Sequence, residues 1–274
     1  MMQATKNSAD SLNELPIPKT SLEAGKWWGM LAVGIGLFMF GLDVHIVNLA
    51  LPTLVQELDT DFATIQGVAL SYLLTLTSFM LGAARLGDIW NKKWLYLAGL
   101  VIFSFSSLLC GLAPSIGFLI GFRALQGLGA VFIAALGAAI ITEIFPEAER
   151  GRALGVVAGI STVGIALGPT VGGMLIGLGS WRLIFLVNVP FGIIASAITI
   201  LSIPSLVGSD RQQSFDLVGL LLITITLTCF ILGMTLEQEK SFNSPIGLIL
   251  LAISVVFLAG FLLVESRLSE PMLD

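Results

Sequence analysis

GVVAGISTVGIALGPTVGGMLIG, residues 155–177, is apolar from end to end and long enough to cross a bilayer as one helix. Gly155 and Gly159, Gly164 and Gly168, Gly168 and Gly172, and Gly173 and Gly177 are each spaced i, i+4, so the members of every pair share a helical face. In water each such glycine weakens a helix by about 1 kcal/mol relative to alanine. In lipid the same residues let a neighbouring backbone approach, which is how membrane helices associate without a hydrophobic force between them. Pro169 removes one amide donor beside Gly168 and predicts a bend. The stretch therefore predicts a closely packed, kinked transmembrane helix, of the kind that lines a cavity at membrane depth. A plain GxxxG pairing face accounts for one glycine pair but leaves the row around Gly168-Pro169 unexplained.

The surrounding chain agrees. Of 274 residues, 56% are hydrophobic and only 11% charged, and the mean hydropathy is +0.97. That composition excludes a soluble domain of this size and defines an all-α polytopic membrane protein. The formal net charge of −5 gives no reason to expect a nucleic-acid partner, and orientation depends on where Lys and Arg sit rather than on their sum. Cys110 and Cys229 lie inside apolar runs and read as packing residues rather than as a disulfide or metal site.

Apolar runs predict eight spans, near 27–50, 65–86, 94–113, 117–143, 153–178, 182–203, 216–236 and 246–265. The expected organisation is a disordered cytoplasmic tail over 1–26, a six-helix bundle over 27–204, a cytoplasmic linker over 205–215, and two further transmembrane helices with a short tail over 216–274. With the N-terminus inside, inner segments hold Lys6, Lys19, Lys26, Lys92, Lys93, Arg150, Arg152, Arg211 and Arg267, whereas outer segments hold only Arg182 and Lys240. This is the asymmetry of the positive-inside rule, and it puts both termini in the cytoplasm. Trp27, Trp28, Trp90 and Trp94 at the inner span ends, and Trp181 at an outer one, read as interfacial anchors.

Charges inside the spans are the candidate functional groups, because a carboxylate at membrane depth costs about 2.5–3.5 kcal/mol on insertion scales. Asp43 lies eight residues before Leu51, and Arg123 eight residues after Ser115. At 1.5 Å per residue both sit about 12 Å below the outer surface, one on an ascending helix and one on a descending helix. They are expected to face one central cavity, paired or linked through water; the alternative is a static ion pair that only fixes packing. His45, the only histidine, is a candidate proton relay or a hydrogen-bonded packing residue. One histidine cannot supply a bis-histidine haem or a multi-histidine metal cluster, so no cofactor or metal is expected. Gln126 follows Arg123 at i+3 on the same face. Arg85 and Asp88, before Lys92 and Lys93, form either a solvated topogenic loop or an inner-side latch. No nucleophile with its base, phosphate-binding loop or catalytic carboxylate pair is legible, so the chain is not read as an enzyme.

Several of these segments resemble motifs of the major facilitator superfamily, in particular its fourteen-span drug:proton antiporters. LDVHIVNLALP (42–52) is similar to the first-helix motif LDxTIVNVALP, with His45 in place of threonine. RALQGLG (123–129) matches RxxQGxG of the fourth helix. The stretch ending GPTVGG (168–173) resembles the antiporter signature of the fifth. ARLGDIWNKK (84–93) is a degraded copy of GxLADRxGRK, and FPEAERGRALG (145–155) and WRLIFLVNVPFG (181–192) are also similar to family segments.

The resemblance implies proton coupling by Asp43 and Arg123, with His45, which departs from the motif, as a further proton-coupling candidate from its own chemistry, and a substrate cavity that includes Asn48 and Gln126. It implies conformational roles for Arg85, Asp88, Lys92, Gly164, Gly168, Pro169, Gly172 and Gly173. The expected function is proton-driven efflux of small amphiphilic compounds across a bacterial cytoplasmic membrane, with the lipid bilayer, a small-molecule substrate and protons as partners. Family members carry two six-helix bundles, and only the first is legible here. The chain is therefore expected to be a fragment of a longer product or to pair with a second half-transporter subunit. The alternative is a truncated, non-transporting membrane protein or an interaction subunit.

Overall fold

The computed structural model describes residues 19–205, 217–239 and 244–265. Among them are nine α-helices and no strand: α1 (Lys19–Glu57), α2 (Phe62–Ile89), α3 (Lys92–Gly111), α4 (Ile116–Ile144), α5 (Glu147–Gly177), α6 (Leu183–Leu186), α7 (Asn188–Ser202), α8 (Leu217–Glu239) and α9 (Pro245–Glu265). With α6 and α7 taken as one interrupted span, Leu183–Ser202, eight segments are long and apolar enough to cross a membrane.

Local chemistry sets the boundaries. Asp61 caps α2, accepting from the Thr64 amide at 2.7 Å and from its hydroxyl at 2.8 Å. These bonds, the backbone one foremost, hold the Asp61 carboxyl below its ordinary value. Asn91 caps α3 by accepting from the Lys93 amide at 3.1 Å. Pro146 precedes α5, which carries Glu147 and Glu149 in its first turn, where the helix dipole favours acids. The sixth span is interrupted at Val187 because Pro190 has no amide to return to the Leu186 carbonyl.

Two buried apolar clusters fill the bundle. One, towards the Lys26 end, gathers Val33, Tyr96, Phe103, Ile133 and Ile140. The other, towards the α1–α2 loop, gathers Ile46, Leu54, Ile65, Leu119 and Phe185. The pair α8–α9 joins through α2: the Ser78 and Thr228 hydroxyls lie 3.1 Å apart, and Thr224 Oγ1 donates to the Ser78 carbonyl at 3.1 Å. Along α9, Val255 and Val256 are 65% and 68% exposed, an apolar outer surface suited to acyl chains.

Three expectations change. Residues 19–26, read as disordered, are the first turns of α1; residues 1–18, the linker from 206 to 215 with residue 216 after it, and the tail from 266 lie outside the described residues. Trp181 is no interfacial anchor: it is buried, stacked edge-on against Phe185 with ring centroids 6.1 Å apart, and carries the Arg182 guanidinium on its face. The close packing expected along residues 155–177 holds for only one face. A Cβ on Gly164 would collide with the Phe38 carbonyl of α1, and one on Gly168 would come within 2.5 Å of the His45 Cβ. Gly155, Gly159, Gly173 and Gly177 instead face open space, and the helix continues through an exposed Pro169 without interruption.

Candidate functional site

Where the two apolar clusters meet, five helices each place a polar side chain in one layer. Asp43 comes from α1, Tyr72 from α2, Ser107 from α3, Arg123 and Gln126 from α4, and Asn188 from the first residue of α7. Asp43 is 0% and Arg123 1% exposed. Charges so far from solvent persist only if every donor and acceptor is met, and the geometry meets nearly all of them.

Arg123 Nη1 donates to Asp43 Oδ2 at 2.6 Å and to Gln126 Oε1 at 2.7 Å, and its Nε donates to the Val68 carbonyl at 3.2 Å. The guanidinium lies over the Tyr72 ring, 4.2 Å from its centroid, which adds a cation–π contact. The other oxygen of the carboxylate, Asp43 Oδ1, accepts from Gln126 Nε2 at 3.0 Å and from Asn188 Nδ2 at 2.9 Å. Gln126 Nε2 donates also to Ser107 Oγ at 2.7 Å. Two buried polar atoms in the layer have no partner: the Tyr72 hydroxyl and Asn188 Oδ1.

The structure thus brings Asp43, Arg123 and Gln126 together, as their matched depth and i, i+3 spacing imply. It encloses them in the bundle, however, instead of opening them to a cavity. His45 points elsewhere: its ring Nδ1 lies 3.1 Å from the Gly41 carbonyl of its own helix, and its Cβ packs against Gly168. Asn48 is exposed and stands apart from the buried layer. Gly164, Gly168 and Gly172 seat α5 on α1, whereas Pro169 and Gly173 face outward.

At the other end of the bundle, Lys92 pairs with Glu143 at 2.7 Å and only distantly, at 4.0 Å, with Asp88. Arg85 is half-buried outside this contact. Lys26 pairs with Glu149 at 2.8 Å, and Lys93 Nζ donates at 2.8 Å to the Ile200 carbonyl in the last turn of α7. The expected Arg85–Asp88–Lys92 group is therefore centred on Lys92 and Glu143.

Sequence reasoning missed Asn188, Tyr72, Ser107 and Glu143. Asn188 left a readable signal, a single amide beside Pro190 inside the apolar run LIFLVNVPFGII.

An all-helical, multi-pass membrane bundle organised around an enclosed acid–guanidinium pair defines the class of protein. The chain belongs to the Major Facilitator Superfamily, whose family model matches residues 33–271; this is a family of transporters, not enzymes. It is 35% identical over 246 residues to multidrug resistance protein Stp of Mycobacterium tuberculosis, covering 89% of this chain and 46% of that protein. It is 35% identical over 249 residues to riboflavin transporter RibZ of Clostridioides difficile, covering 91% and 53%. With the tetracenomycin C resistance and export protein of Streptomyces glaucescens the figures are 30% over 256 residues, 93% and 48%. The chain thus spans about half the length of the curated relatives it matches. Its fold is similar to the crystal structure of a bacterial homologue of the human lysosomal transporter Spinster, in an inward-facing, unoccupied conformation. The TM-score there is 0.56 at 16% identity, over 90% of this chain and 76% of that one.

Proposed function

We propose that these helices form the first repeat, with two added spans, of a proton-coupled exporter of small amphiphilic molecules in a bacterial cytoplasmic membrane, both termini facing the cytoplasm. The observation that carries this reading is the Asp43–Arg123 contact at 2.6 Å, enclosed among apolar side chains. Protonating Asp43 cancels the charge that offsets the guanidinium and turns one acceptor oxygen into a donor. Both changes are large where water does not screen them, so proton arrival and departure select different arrangements of α1 against α4. His45 is a secondary candidate for handing on that proton, and Asn48 and Gln126 are candidates for contact with the substrate.

Alternating access rocks one repeat against another around a midplane site, so a second six-helix unit, in the same product or a separate subunit, is part of the proposal. The open face of α5, with Gly155, Gly159 and Gly173, is suited to such a partner. The test is dye and drug efflux under an imposed pH gradient, with Asp43→Asn and Arg123→Ala in the full-length context at matched expression. Loss of gradient-driven efflux in both is expected; unchanged efflux in both removes the assigned roles. The enclosure of the pair favours one competing reading, a purely architectural ion pair in a non-transporting protein. That reading predicts lost stability with no change in the pH dependence of any surviving transport.

A further inference from the structure

Asn188 is wholly buried, yet half of its amide is unused. Nδ2 donates to Asp43 Oδ1 at 2.9 Å, and Oδ1 has no partner. A buried acceptor without a donor keeps its full desolvation penalty. A residue kept only to donate to a carboxylate needs no such acceptor.

The proton inventory of the site gives that oxygen a use. The groups facing the Asp43 carboxyl are Arg123 from α4, Tyr72 from α2 and Cys110 from α3, whose thiol lies 3.8 Å from Gln126 Oε1. His45, on α1 itself, is turned towards α5, and neither α5 beyond Arg152 nor α7 carries a titratable side chain. Asp43 Oδ2 faces the positively charged Arg123, whereas Oδ1 faces two neutral amides, so an arriving proton belongs on Oδ1.

That proton then meets two N–H donors, and one of them must give way. Gln126 is pinned: its Oε1 accepts from Arg123 and its Nε2 donates to Ser107, so turning its amide would set N–H against N–H at the guanidinium. Asn188 has no second bond to hold it. A half-turn of its amide offers Oδ1 to the new O–H.

Resting on the proton-exchange reading, we propose that Asn188 is a positioning residue whose amide reverses with the protonation of Asp43, donating to the carboxylate and accepting from the acid. Its place beside the Val187 interruption sets this reversal where the sixth span is least regular.

The experiment is pH-difference infrared spectroscopy of the 274-residue chain in lipid vesicles, with asparagine labelled with carbon-13 at the side-chain carbonyl. Acidification should bring up a protonated-carboxyl band that is absent from Asp43→Asn. Together with it, a labelled amide band should shift to lower frequency, and that band should be absent from Asn188→Leu. If Asn188→Leu does not fold, Asn188→Thr, which also lacks an amide, makes the same assignment. A carboxyl band without an amide shift overturns the reversal and leaves Asp43 as the proton-exchanging group. Absence of any Asp43 carboxyl band across the pH range in which the chain stays folded overturns both.

Discussion

Asp43 Oδ2 and Arg123 Nη1 meet at 2.6 Å although 80 residues of chain separate them, and neither side chain is open to solvent. Removing one member strands the other. Asp43→Ala or Arg123→Ala should each cost about 3–5 kcal/mol, as expected for an uncompensated buried charge. The double variant Asp43→Ala/Arg123→Ala should lose much less than the sum of the two single losses, giving a large coupling energy in a double-mutant cycle. Unfolding of the purified protein in mixed micelles measures it. Additive losses would mean that the two groups do not act as a pair.

The seat of α5 on α1 makes a second contrast. Gly164→Ala drives a methyl group into the Phe38 backbone and should cost about 1–3 kcal/mol. Gly159→Ala, on the open face of the same helix, should be neutral or gain up to about 1 kcal/mol of helix propensity. Thermal melting in detergent ranks them; equal effects would show that the two glycine faces are not packed differently.

At the Lys92 end, two acids compete for one ammonium group. Lys92 is 7% exposed and sits 2.7 Å from Glu143 but 4.0 Å from Asp88. Glu143→Gln should therefore lose about 1–3 kcal/mol, since the buried ammonium then keeps only a neutral amide at close range, with the Asp88 carboxylate 4.0 Å away. Asp88→Asn, with an exposed carboxylate, should stay within about 1 kcal/mol of the parent. The reverse order in chemical denaturation would reassign the partner of Lys92.

The cap of α2 gives a pH signature. Bonds from Thr64 lower the folded-state pKa of Asp61. The cap therefore contributes its stability in full above the carboxyl's ordinary value and loses it as pH falls through the lowered, folded one. The protection of the Thr64 amide against hydrogen exchange, taken relative to its intrinsic rate at each pH, should fall on acidification over that window in the parent. In Asp61→Asn, whose side chain still accepts but does not titrate, that acid-dependent step should vanish. Persistence of the step would place its origin in another group.

How much of this was legible depended on what a one-dimensional pattern carries. Mean hydropathy over a window locates spans, and a fixed rise per residue set Asp43 and Arg123 at one depth; both quantities survive folding unchanged. Which face of a helix meets which neighbour is not in either quantity. Trp181, at a span end, had the position of an interfacial anchor, and only the tertiary packing of the cluster it shares with Cys110, Ile184 and Phe185 buries it. Glycine spacing marked faces able to pack but could not tell the Gly164–Gly172 face, which meets α1, from the Gly155–Gly159 face, which meets nothing here. Asn188 and Glu143 escaped because their partners lie far off in sequence, 145 residues in the case of Asn188 and Asp43.

Ser78 accepts from Thr224 through its backbone and meets Thr228 through its hydroxyl, so α8 is gripped one helical turn apart by a single residue of α2. A two-point grip resists swivel as well as separation. The last two spans are thus no loose appendage: when α2 tilts in the membrane, α8 travels with it as a strut with its brace, and α9 follows.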